Sequence, residues 1–352
     1  MPDRAEQDEE LEVADDSELL YEKVTIVADR RQEPLRVDKF LMNRIENATR
    51  NKIQQAAEAG HILVNEHAVR SNYKVKPGDQ IVVLTYQSPE SNEIVPEDIP
   101  LNIVYEDDDL LVVNKPAGMV VHPGCGNRSG TLVNALAWHL GKDHAHPVVP
   151  EIPRFGLVHR IDKDTSGLLV VAKSEKAMND LATQFFNHTV RRRYHALVWG
   201  NFEKSEGTIV AHVGRHQRFR KIMHAYADGE YGKEAVTHYK VLENFNYVTL
   251  VECRLETGRT HQIRVHMQHI GHPLFNDETY GGHRIVKGTV FSKYKQFVQN
   301  CFEILPRQAL HARSLGFIHP RTRREMYFES ELPDDFRQVL EKWRAYISTR
   351  EG

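Results

Sequence analysis

Cysteine is scarce in this 352-residue chain, and long hydrophobic runs are absent. The three cysteines, Cys125, Cys253 and Cys301, form no CxxC pair and no even framework like that of small secreted domains. We therefore expect a reduced, cytoplasmic setting. No apolar run is long enough to span a bilayer, and the N-terminus is acidic where a signal peptide is basic and apolar, so no membrane association is expected.

Metal-ligand patterns and a strong net charge are also lacking. None of the 20 histidines stands in HExxH or in a Cys/His cluster of ligand spacing, so we predict no metal site. The formal net charge of −3 does not by itself indicate a nucleic-acid binder. The charge is uneven, however, because residues 1–20 form an acidic tail, which we expect to be disordered, and the rest of the chain is net positive.

The hydrophobic fraction of 40% is enough for a sizeable core, and the length predicts a small domain and a large one. The small domain is predicted over residues 21–86 and the large one over residues 101–347. Residues 87–100 are polar, acidic and punctuated by proline, which indicates a linker.

Residues 21–86 have the pattern of two helices followed by strands. The first helix is predicted over residues 35–45, where one helical face is apolar: Val37, Phe40, Leu41 and Ile45. The second is predicted over residues 50–59, with Thr49 as N-cap and Gly60 after its end. Strands are predicted at residues 21–27, 61–65 and 80–84.

This pattern, with Gly-His-Ile-Leu-Val-Asn and Val-Lys-Pro-Gly-Asp after the helices, resembles the S4 RNA-binding domain. The resemblance implies that basic side chains of the helix pair contact structured RNA, chiefly through phosphates: Arg36, Lys39, Arg50 and Lys52. Basic residues of this kind also occur on an ordinary solvated helix face.

Residues 155–173 are the most informative stretch of the chain. They pass from Val158-His159-Arg160 through a turn cluster at residues 162–167 to an unbroken apolar run at residues 168–172. We predict a strand, a tight turn and a buried strand, with Asp162 at the mouth of the turn. An aspartate in a turn commonly caps its own backbone, but here an arginine precedes it by two residues and Thr-Ser-Gly follows.

This stretch resembles motif II of the RluA-type pseudouridine synthases, His-Arg-(Leu/Ile)-Asp-x-x-Thr-Ser-Gly, in which the aspartate is catalytic. Further segments resemble that family in the same order, at residues 114–123, 190–200, 255–266 and 308–320. The resemblance covers residues 21–329 and is closest to the S4-bearing enzymes of the ribosomal large subunit, above all the RluD branch.

The resemblance implies three catalytic residues. Asp162 is the charged group that acts on the nucleotide, and Arg264 is the candidate partner that keeps it ionised. Tyr194 lies beneath the target base and is the candidate proton acceptor at C5. RNA binding is implied for further cations of these motifs: Arg160, Arg192, Arg259 and His261. Arg192 stands where the family more often has lysine.

Local patterns place these residues on secondary structure. Helices are predicted at residues 174–187 and 334–347, and Tyr194 lies on a strand over residues 190–200. Thr260 is expected to cap a helix over residues 261–270 that ends at Gly271. Ile263, Met267 and Ile270 form its apolar side, and Arg264 is expected to point elsewhere, on the side of Thr260 and Gln268.

The fold class implied is α+β: a small S4 domain, then a mixed, mostly antiparallel sheet in two connected halves with flanking helices and a central cleft. The implied reaction turns uridine into pseudouridine within RNA, most closely large-subunit ribosomal RNA or a ribosome precursor. No cofactor is implied, because no redox step or external donor is needed. We expect a monomer.

Two other classes of function remain open from the sequence. The chain could be a catalytically silent S4-type RNA-binding or ribosome-assembly factor, which the intact Asp162, Tyr194 and Arg264 argue against. It could also be an aspartate-based hydrolase, which needs a second acid such as Asp164 near the first. A hydrolase would release free uracil and a synthase would not.

Overall fold

The computed structural model describes residues 21–30, 32–45, 48, 50–85, 94–123, 127–141, 153–219, 222–227, 229, 231–289 and 291–349. They form two compact units, divided between residues 85 and 94. Several sequence predictions fall outside these residues: the acidic tail, the cap at Thr49, residues 87–93 of the linker and the side chain of Lys52.

The first unit is an antiparallel sheet with two helices. Its sheet has the order β1-β6-β3-β4, and β2 pairs separately with β5. The first helix begins at Val37, two residues later than predicted, because Leu35 and Arg36 pair with Val75 and Lys74. The elements are β1 (Tyr21–Val27), β2 (Leu35–Arg36), α1 (Val37–Met42), α2 (Arg50–Glu58), β3 (Ile62–Val64), β4 (His67–Ala68), β5 (Lys74–Val75) and β6 (Gln80–Thr85).

The second unit is built on one ten-stranded sheet. Its elements are β7 (Ile103–Glu106), β8 (Leu110–Lys115), α3 (Leu132–Gly141), β9 (Ser166–Ala172), α4 (Glu175–Phe186), β10 (Arg191–Trp199), β11 (Glu206–Arg215), β12 (Met223–Tyr226), β13 (Lys233–Asn244), β14 (Val248–Leu255), α5 (Gln262–His269), α6 (Ser292–Ile304), β15 (Leu310–Ile318), β16 (Glu325–Glu329) and α7 (Asp334–Ser348). None of the helices in the described ranges is both long and apolar enough to cross a bilayer.

The sheet has the order β12-β11-β13-β14-β10-β15-β9-β8-β7, and β16 pairs with β15. Every pairing is antiparallel except that of β9 with β15. This one parallel contact joins the two antiparallel halves. The α+β class and the mostly antiparallel sheet are therefore confirmed.

Residues 94–100 belong to the second unit, although the sequence assigns them to the linker. The Asn134 side chain donates to the Val95 carbonyl at 2.8 Å, and the Glu97 amide donates to the Asn134 carbonyl at 3.0 Å. The described half of the expected linker is thereby fixed to the start of α3.

The buried strands β8 and β9 supply two hydrophobic cores. Leu169 and Val171 of β9 face a core shared with α3 and α5, while Leu168 and Val170 face the core beneath α4. Successive side chains of a strand point to opposite faces of the sheet, so an unbroken apolar run is what a strand covered on both faces requires.

Gly167 makes the parallel junction possible. Its φ is +116°, and a Cβ at this position would lie 2.3 Å from the carbonyl oxygen of Ala312 on β15. Any side chain would push the strands apart. The glycine of Thr-Ser-Gly is thus needed where the two halves of the sheet meet, directly after the turn that carries Asp162.

A buried histidine, His311, links the strands at the same junction by hydrogen bonds and makes the free energy of unfolding depend on pH. The ring of His311 bonds the hydroxyls of Ser166 and Ser330, each at 2.9 Å, and burial lowers the pKa of His311 from 6.5 to about 4. Between those two pH values the unfolded chain binds a proton that the folded chain does not. The stability contributed here is therefore lost as the pH falls through this window.

We expect His311 to account for a loss of roughly 3 kcal/mol in unfolding free energy between pH 7 and pH 4. His311→Gln should flatten this part of the pH dependence, whereas His269→Gln, at an exposed position of α5, should not. Denaturant titrations at pH 7.5 and 4.5 measure both effects. An unchanged pH loss in His311→Gln would contradict the assignment.

The strand predicted before the Asp162 turn is not formed. Residues 153–156 form a 3₁₀ turn, and beyond them only Leu157 makes a bridge, to Val171. The Nε2 of His159 accepts the Val170 N–H at 3.1 Å, so the ring supplies the acceptor that a strand carbonyl would supply. On the side of β9 that continues beyond its short pairing with β15, the backbone is therefore satisfied by one bridge and one side chain, and no further described strand pairs there.

Candidate active site

The turn that carries Asp162 is fixed by two buried cations. The Nζ of Lys115 donates to the carbonyls of Pro116, Met119 and Lys163 at 2.6–2.8 Å. The guanidinium of Arg307 donates to the Asp164 carbonyl at 3.0 Å and holds Asp335 with two further bonds of 2.8 and 3.0 Å. Lys115 and Arg307 thus each hold one carbonyl of the turn, and they are anchored outside it by the carbonyls of Pro116 and Met119 and by the Asp335 carboxylate.

The environment of Lys115 is unusual for a lysine. Its side chain is fully buried, and burial lowers the pKa of Lys115 to about 7. Its three carbonyl acceptors match the three donors of an ammonium group. We interpret Lys115 as a positioning residue for the turn, and the start of the motif at residues 114–123 was the sequence signal for it.

Asp162 lies at the centre of a charged group. Its Oδ2 accepts from Nη1 of Arg264 at 3.2 Å, and its Oδ1 is 3.8 Å from Nε2 of His261. The Asp162 side chain is 17% exposed, so the carboxylate is shielded but reachable from the cleft.

Arg264 uses its two-pronged fork on a different carboxylate. Its Nε and Nη2 bond Asp277 at 2.7 and 2.9 Å, and its guanidinium lies 4.9 Å from the ring centroid of Tyr280. Burial alone would lower the pKa of Arg264, but the bonds and charges of Asp277 and Asp162 raise it above its usual value. Arg264 therefore stays charged and is oriented by Asp277, with one nitrogen left for Asp162.

The start of α5 differs from the sequence prediction. The N-cap is His261, in the left-handed region at φ 55°, and Thr260 does not cap the helix. His261 makes no side-chain bond to the helix, and Gln262 instead fixes the preceding turn, since its Oε1 accepts the Arg259 amide at 2.9 Å and the Thr257 hydroxyl at 2.8 Å. The unusual φ of His261 directs its ring towards Asp162.

His261 and Tyr280 are hydrogen-bonded to each other beside Asp162. The Tyr280 hydroxyl accepts the Met223 N–H at 3.1 Å and lies 2.8 Å from Nδ1 of His261. Burial lowers the pKa of His261 and raises that of Tyr280 to about 12, so both are neutral near pH 7. When the hydroxyl donates to Nδ1, the ring hydrogen is on Nε2, which faces Asp162.

A cleft of about 1050 Å³ opens over Asp162. Tyr194 lines it from β10, where the side chain is buried, and burial raises the pKa of Tyr194. Among the described residues that line the cleft, Asp162 is the only carboxylate, whereas four are arginines: Arg160, Arg192, Arg259 and Arg264. The arginines therefore suit the cleft to bind a polyanion, and the Asp162 carboxylate is directed at the bound molecule. Asp164, the second acid of the hydrolase hypothesis, does not line it.

The other cations predicted from the motifs take distinct positions along the cleft. Arg160 is exposed. Arg259 donates from Nε to the Glu234 carbonyl at 3.0 Å. Arg192 is buried, donates to the Glu256 carbonyl at 3.1 Å and has no carboxylate within 4 Å among the described residues. A buried guanidinium of this kind can serve an incoming phosphate.

The basic residues of the first unit are less free than the sequence suggests. The buried carboxylate of Asp38 accepts from Arg36 at 2.9 and 3.1 Å and from Arg50 at 3.3 Å. Burial would raise the pKa of Asp38, but these bonds and one from Gln54 hold it below its usual value. Two of the four basic residues predicted to bind RNA in the first unit are thus engaged with an internal carboxylate, while Lys39 is exposed.

Several residues of the site were not selected from the sequence: Lys115, Asp277, Tyr280 and Arg307. Asp277 and Tyr280 follow the apolar pair Leu274-Phe275 in a Gly-rich segment that reads as an ordinary loop.

A group of possible metal ligands also occurs in the described part of the chain, where oxygen or nitrogen atoms of Asp107, Asp109 and His319 lie within 4.8 Å of one another. Asp109 is paired with Arg321 at 2.6 Å, and Asp107 accepts from the Tyr105 hydroxyl at 2.7 Å and from His319 at 2.8 Å. These contacts explain the group as a network that holds β7, β8 and β15 together.

Comparison with known proteins agrees with this geometry. Residues 109–269 match the family of RNA pseudouridylate synthases, and residues 35–81 match the S4 domain. An uncharacterized RNA pseudouridine synthase of Chlorobaculum parvum is 47% identical over 94% of this chain and 100% of its own length. The ribosomal large subunit pseudouridine synthase D of Nitrosomonas europaea is 44% identical over 88% of this chain and 85% of its own.

Among solved structures, human RNA pseudouridylate synthase domain containing 4 superimposes with a TM-score of 0.53 at 24% identity, over 69% of this chain and 93% of its own, which supports the fold alone. The sequence relatives carry the assignment further, because identity of this degree extends over both units. The chain is therefore a member of the RNA pseudouridine synthase family, of the RluA type, with an S4 domain ahead of its catalytic unit.

Proposed function

We propose that this enzyme isomerises particular uridines of large-subunit ribosomal RNA, in the mature subunit or a precursor, with Asp162 as the catalytic group. The observation that carries the proposal is a single carboxylate, bonded to a fixed guanidinium, in a cleft that four arginines line and no other carboxylate of the described residues reaches. Relatives named for the large ribosomal subunit support the choice of RNA. We further propose a cytoplasmic monomer.

The reaction begins with removal of the uridine from its stack. A uracil within a structured RNA cannot reach Asp162 unless it is flipped into the cleft. Arg160 and Arg192 contact phosphates of the flipped strand, and Tyr194 lies against the base. Arg264 keeps Asp162 ionised and oriented, because a neighbouring guanidinium offsets the cost of burying a carboxylate.

The chemistry exchanges two bonds and one proton. The C1′–N1 bond breaks and a C1′–C5 bond forms, while C5 loses a proton and N1 gains one. Asp162 acts as a charged group in each of three routes: attack at C1′, addition to C6 or removal of the 2′ proton. No electrons enter or leave, so the reaction requires no cofactor.

Tyr194 acts as a relay for the C5 proton. Because burial raises its pKa, the phenol is protonated near pH 7 and is not itself a base. It takes up the C5 proton only as its own hydroxyl proton passes on towards N1, the atom that gains a proton in the reaction. This refines the role of proton acceptor inferred from the sequence.

The proposal is tested by mapping pseudouridine across ribosomal RNA in cells with and without this protein. Loss of pseudouridine at discrete positions of large-subunit RNA, with all other positions retained, is the expected result. An unchanged map together with catalysis on another RNA would refute the choice of substrate. An unchanged map with no catalysis on any RNA would favour a silent RNA-binding factor.

The S4 unit should contribute salt-dependent affinity through Lys39. Lys39→Gln should lower the slope of log K against log salt by about 0.7–0.9, the value for one phosphate contact. Lys295→Gln, an exposed lysine of α6, should leave the slope unchanged. Filter binding of a structured ribosomal RNA fragment between 50 and 200 mM salt measures both. Equal slopes for Lys39→Gln and wild type would show that Lys39 contacts no phosphate.

A further inference from the structure

Phe186 is the last residue of α4. It lines the cleft together with Asp162 and Tyr194, yet it is 81% exposed. A large apolar ring therefore stands open to solvent at the edge of the cavity in which the reaction takes place.

Hydrogen bonds hold the backbone around Phe186 in place. The side chain of Gln184 bonds both the amide and the carbonyl of Ile318 at 2.8 and 2.7 Å. The amide and hydroxyl of Thr189 return to the Gln184 carbonyl at 3.0 and 3.1 Å, and the His188 amide bonds the Phe185 carbonyl at 3.2 Å. Hydrogen bonds before and after Phe186 thus fix the backbone at the end of α4.

The neighbouring aromatic residue, Phe185, also lines the cleft, but other side chains already cover its ring. Phe185 stacks on His159 with centroids 4.5 Å apart, and Arg192 lies 5.4 Å above its ring. These contacts fill the inner position at the end of α4. Phe186 is one residue further along the helix, a rotation of about 100°, so its side chain leaves the helix in a different direction and is largely exposed.

An isolated exposed phenylalanine is common on protein surfaces and needs no explanation by itself. Phe291 is one example, 67% exposed and outside the cleft. Phe186 differs because its surroundings match one class of ligand. A flat ring without hydrogen-bonding groups, beside cations that can take phosphates, has the chemistry that binds an unpaired nucleotide.

We propose that Phe186 is a stacking platform for the base next to the target uridine. When the target leaves its stack, each neighbouring base loses a stacked face, and Phe186 covers one of them. The target base itself must lie deeper, against Tyr194 and Asp162. The platform accepts any base, because every base has a π face and phenylalanine forms no hydrogen bond with it. This inference rests on the proposed isomerisation of a flipped uridine.

The test uses single-turnover kinetics of the full-length enzyme on a short stem-loop of large-subunit RNA. The dependence of the rate on enzyme concentration gives a half-saturating concentration and a maximal rate. Phe186→Ala should raise the half-saturating concentration roughly five- to a hundredfold, the range for loss of one base–aromatic stack. The maximal rate should stay within about twofold of wild type. Phe186→Tyr should restore the wild-type value, and Phe291→Ala should match wild type in both.

Abasic substitutions identify the base that stacks. With wild-type enzyme, removal of one flanking base should weaken binding about as much as Phe186→Ala does, and combining the two changes should add little. Wild-type conversion of the stem-loop establishes the isomerisation separately, so its absence would refute the proposed function.

Three results would overturn the platform. The first is a Phe186→Ala variant, folded by circular dichroism, that binds the stem-loop like wild type. The second is a fall in maximal rate alone, which would place Phe186 at the reacting group. The third is a defect seen on ribosomal particles but not on the stem-loop, which would make Phe186 a contact for a protein partner.

Discussion

Asp162→Asn should abolish pseudouridine formation, by at least about a thousandfold, while RNA binding stays close to wild type. Asparagine keeps the shape of the side chain and an acceptor oxygen but loses the charge and the nucleophilicity. Arg264 retains its two bonds to Asp277 in this variant, so the surrounding structure should remain folded. Single-turnover conversion of a stem-loop and equilibrium binding of the same RNA measure the two effects.

Asp164→Asn is the matched control. It makes the same chemical change two residues away, at a carboxylate that does not line the cleft, and the contact of Asp164 with Arg307 uses its backbone carbonyl. We expect this variant to keep most of its activity. If Asp162→Asn converts RNA at a substantial fraction of the wild-type rate, with deamidation excluded, Asp162 is not the catalytic group. Release of free uracil by the wild-type enzyme would instead indicate a hydrolase.

Arg264→Lys should lose about a hundredfold in activity although the charge is kept. The guanidinium joins two carboxylates, with its fork on Asp277 and its remaining nitrogen on Asp162. An ammonium on a flexible stem cannot hold both geometries at once. Asp277, which is fully buried, would lose part of its bonding, and we expect a loss of about 2 kcal/mol in unfolding free energy.

Arg259→Lys is the parallel variant, because Arg259 makes a single bond to a backbone carbonyl and none to Asp162. Its activity should fall less than tenfold. Asp277→Asn separates positioning from contact, since Asp277 acts on Asp162 through Arg264 and, by its bond to the Tyr280 amide, through the Tyr280–His261 pair. A slower maximal rate in Asp277→Asn with unchanged RNA affinity would be the expected signature. Larger losses in Arg259→Lys than in Arg264→Lys would show that the pairing assigned to Arg264 is wrong.

Local patterns were sufficient for much of the fold. The apolar run at residues 168–172 predicted a buried strand, and the spacing of Ala177, Leu181 and Phe185 predicted α4, because periodicity reports which face of an element is covered. Motif resemblance also placed Asp162, Tyr194 and Arg264 in one site, and the structure brings all three to one cleft.

Elsewhere the structure adds contacts that no local pattern shows. Val158 to Arg160 reads as a strand, but the ring of His159 supplies the acceptor for β9 and no ladder forms. Arg36 and Arg50 remain partly exposed basic residues, and both also bond the buried Asp38. Sequence shows a charge and its spacing, whereas the approach of an opposite charge depends on packing.

The sequence alone was thus sufficient for the fold class and the family. It also predicts Asp162 as the reacting carboxylate. Only the tertiary structure decided how that carboxylate is held. Arg264 lies 102 residues after Asp162 and its second partner, Asp277, lies a further 13 residues on, while Lys115 reaches the turn from 48 residues before Lys163. These contacts exist because one parallel strand pair joins two antiparallel halves of a sheet, and no local periodicity encodes which strands become neighbours.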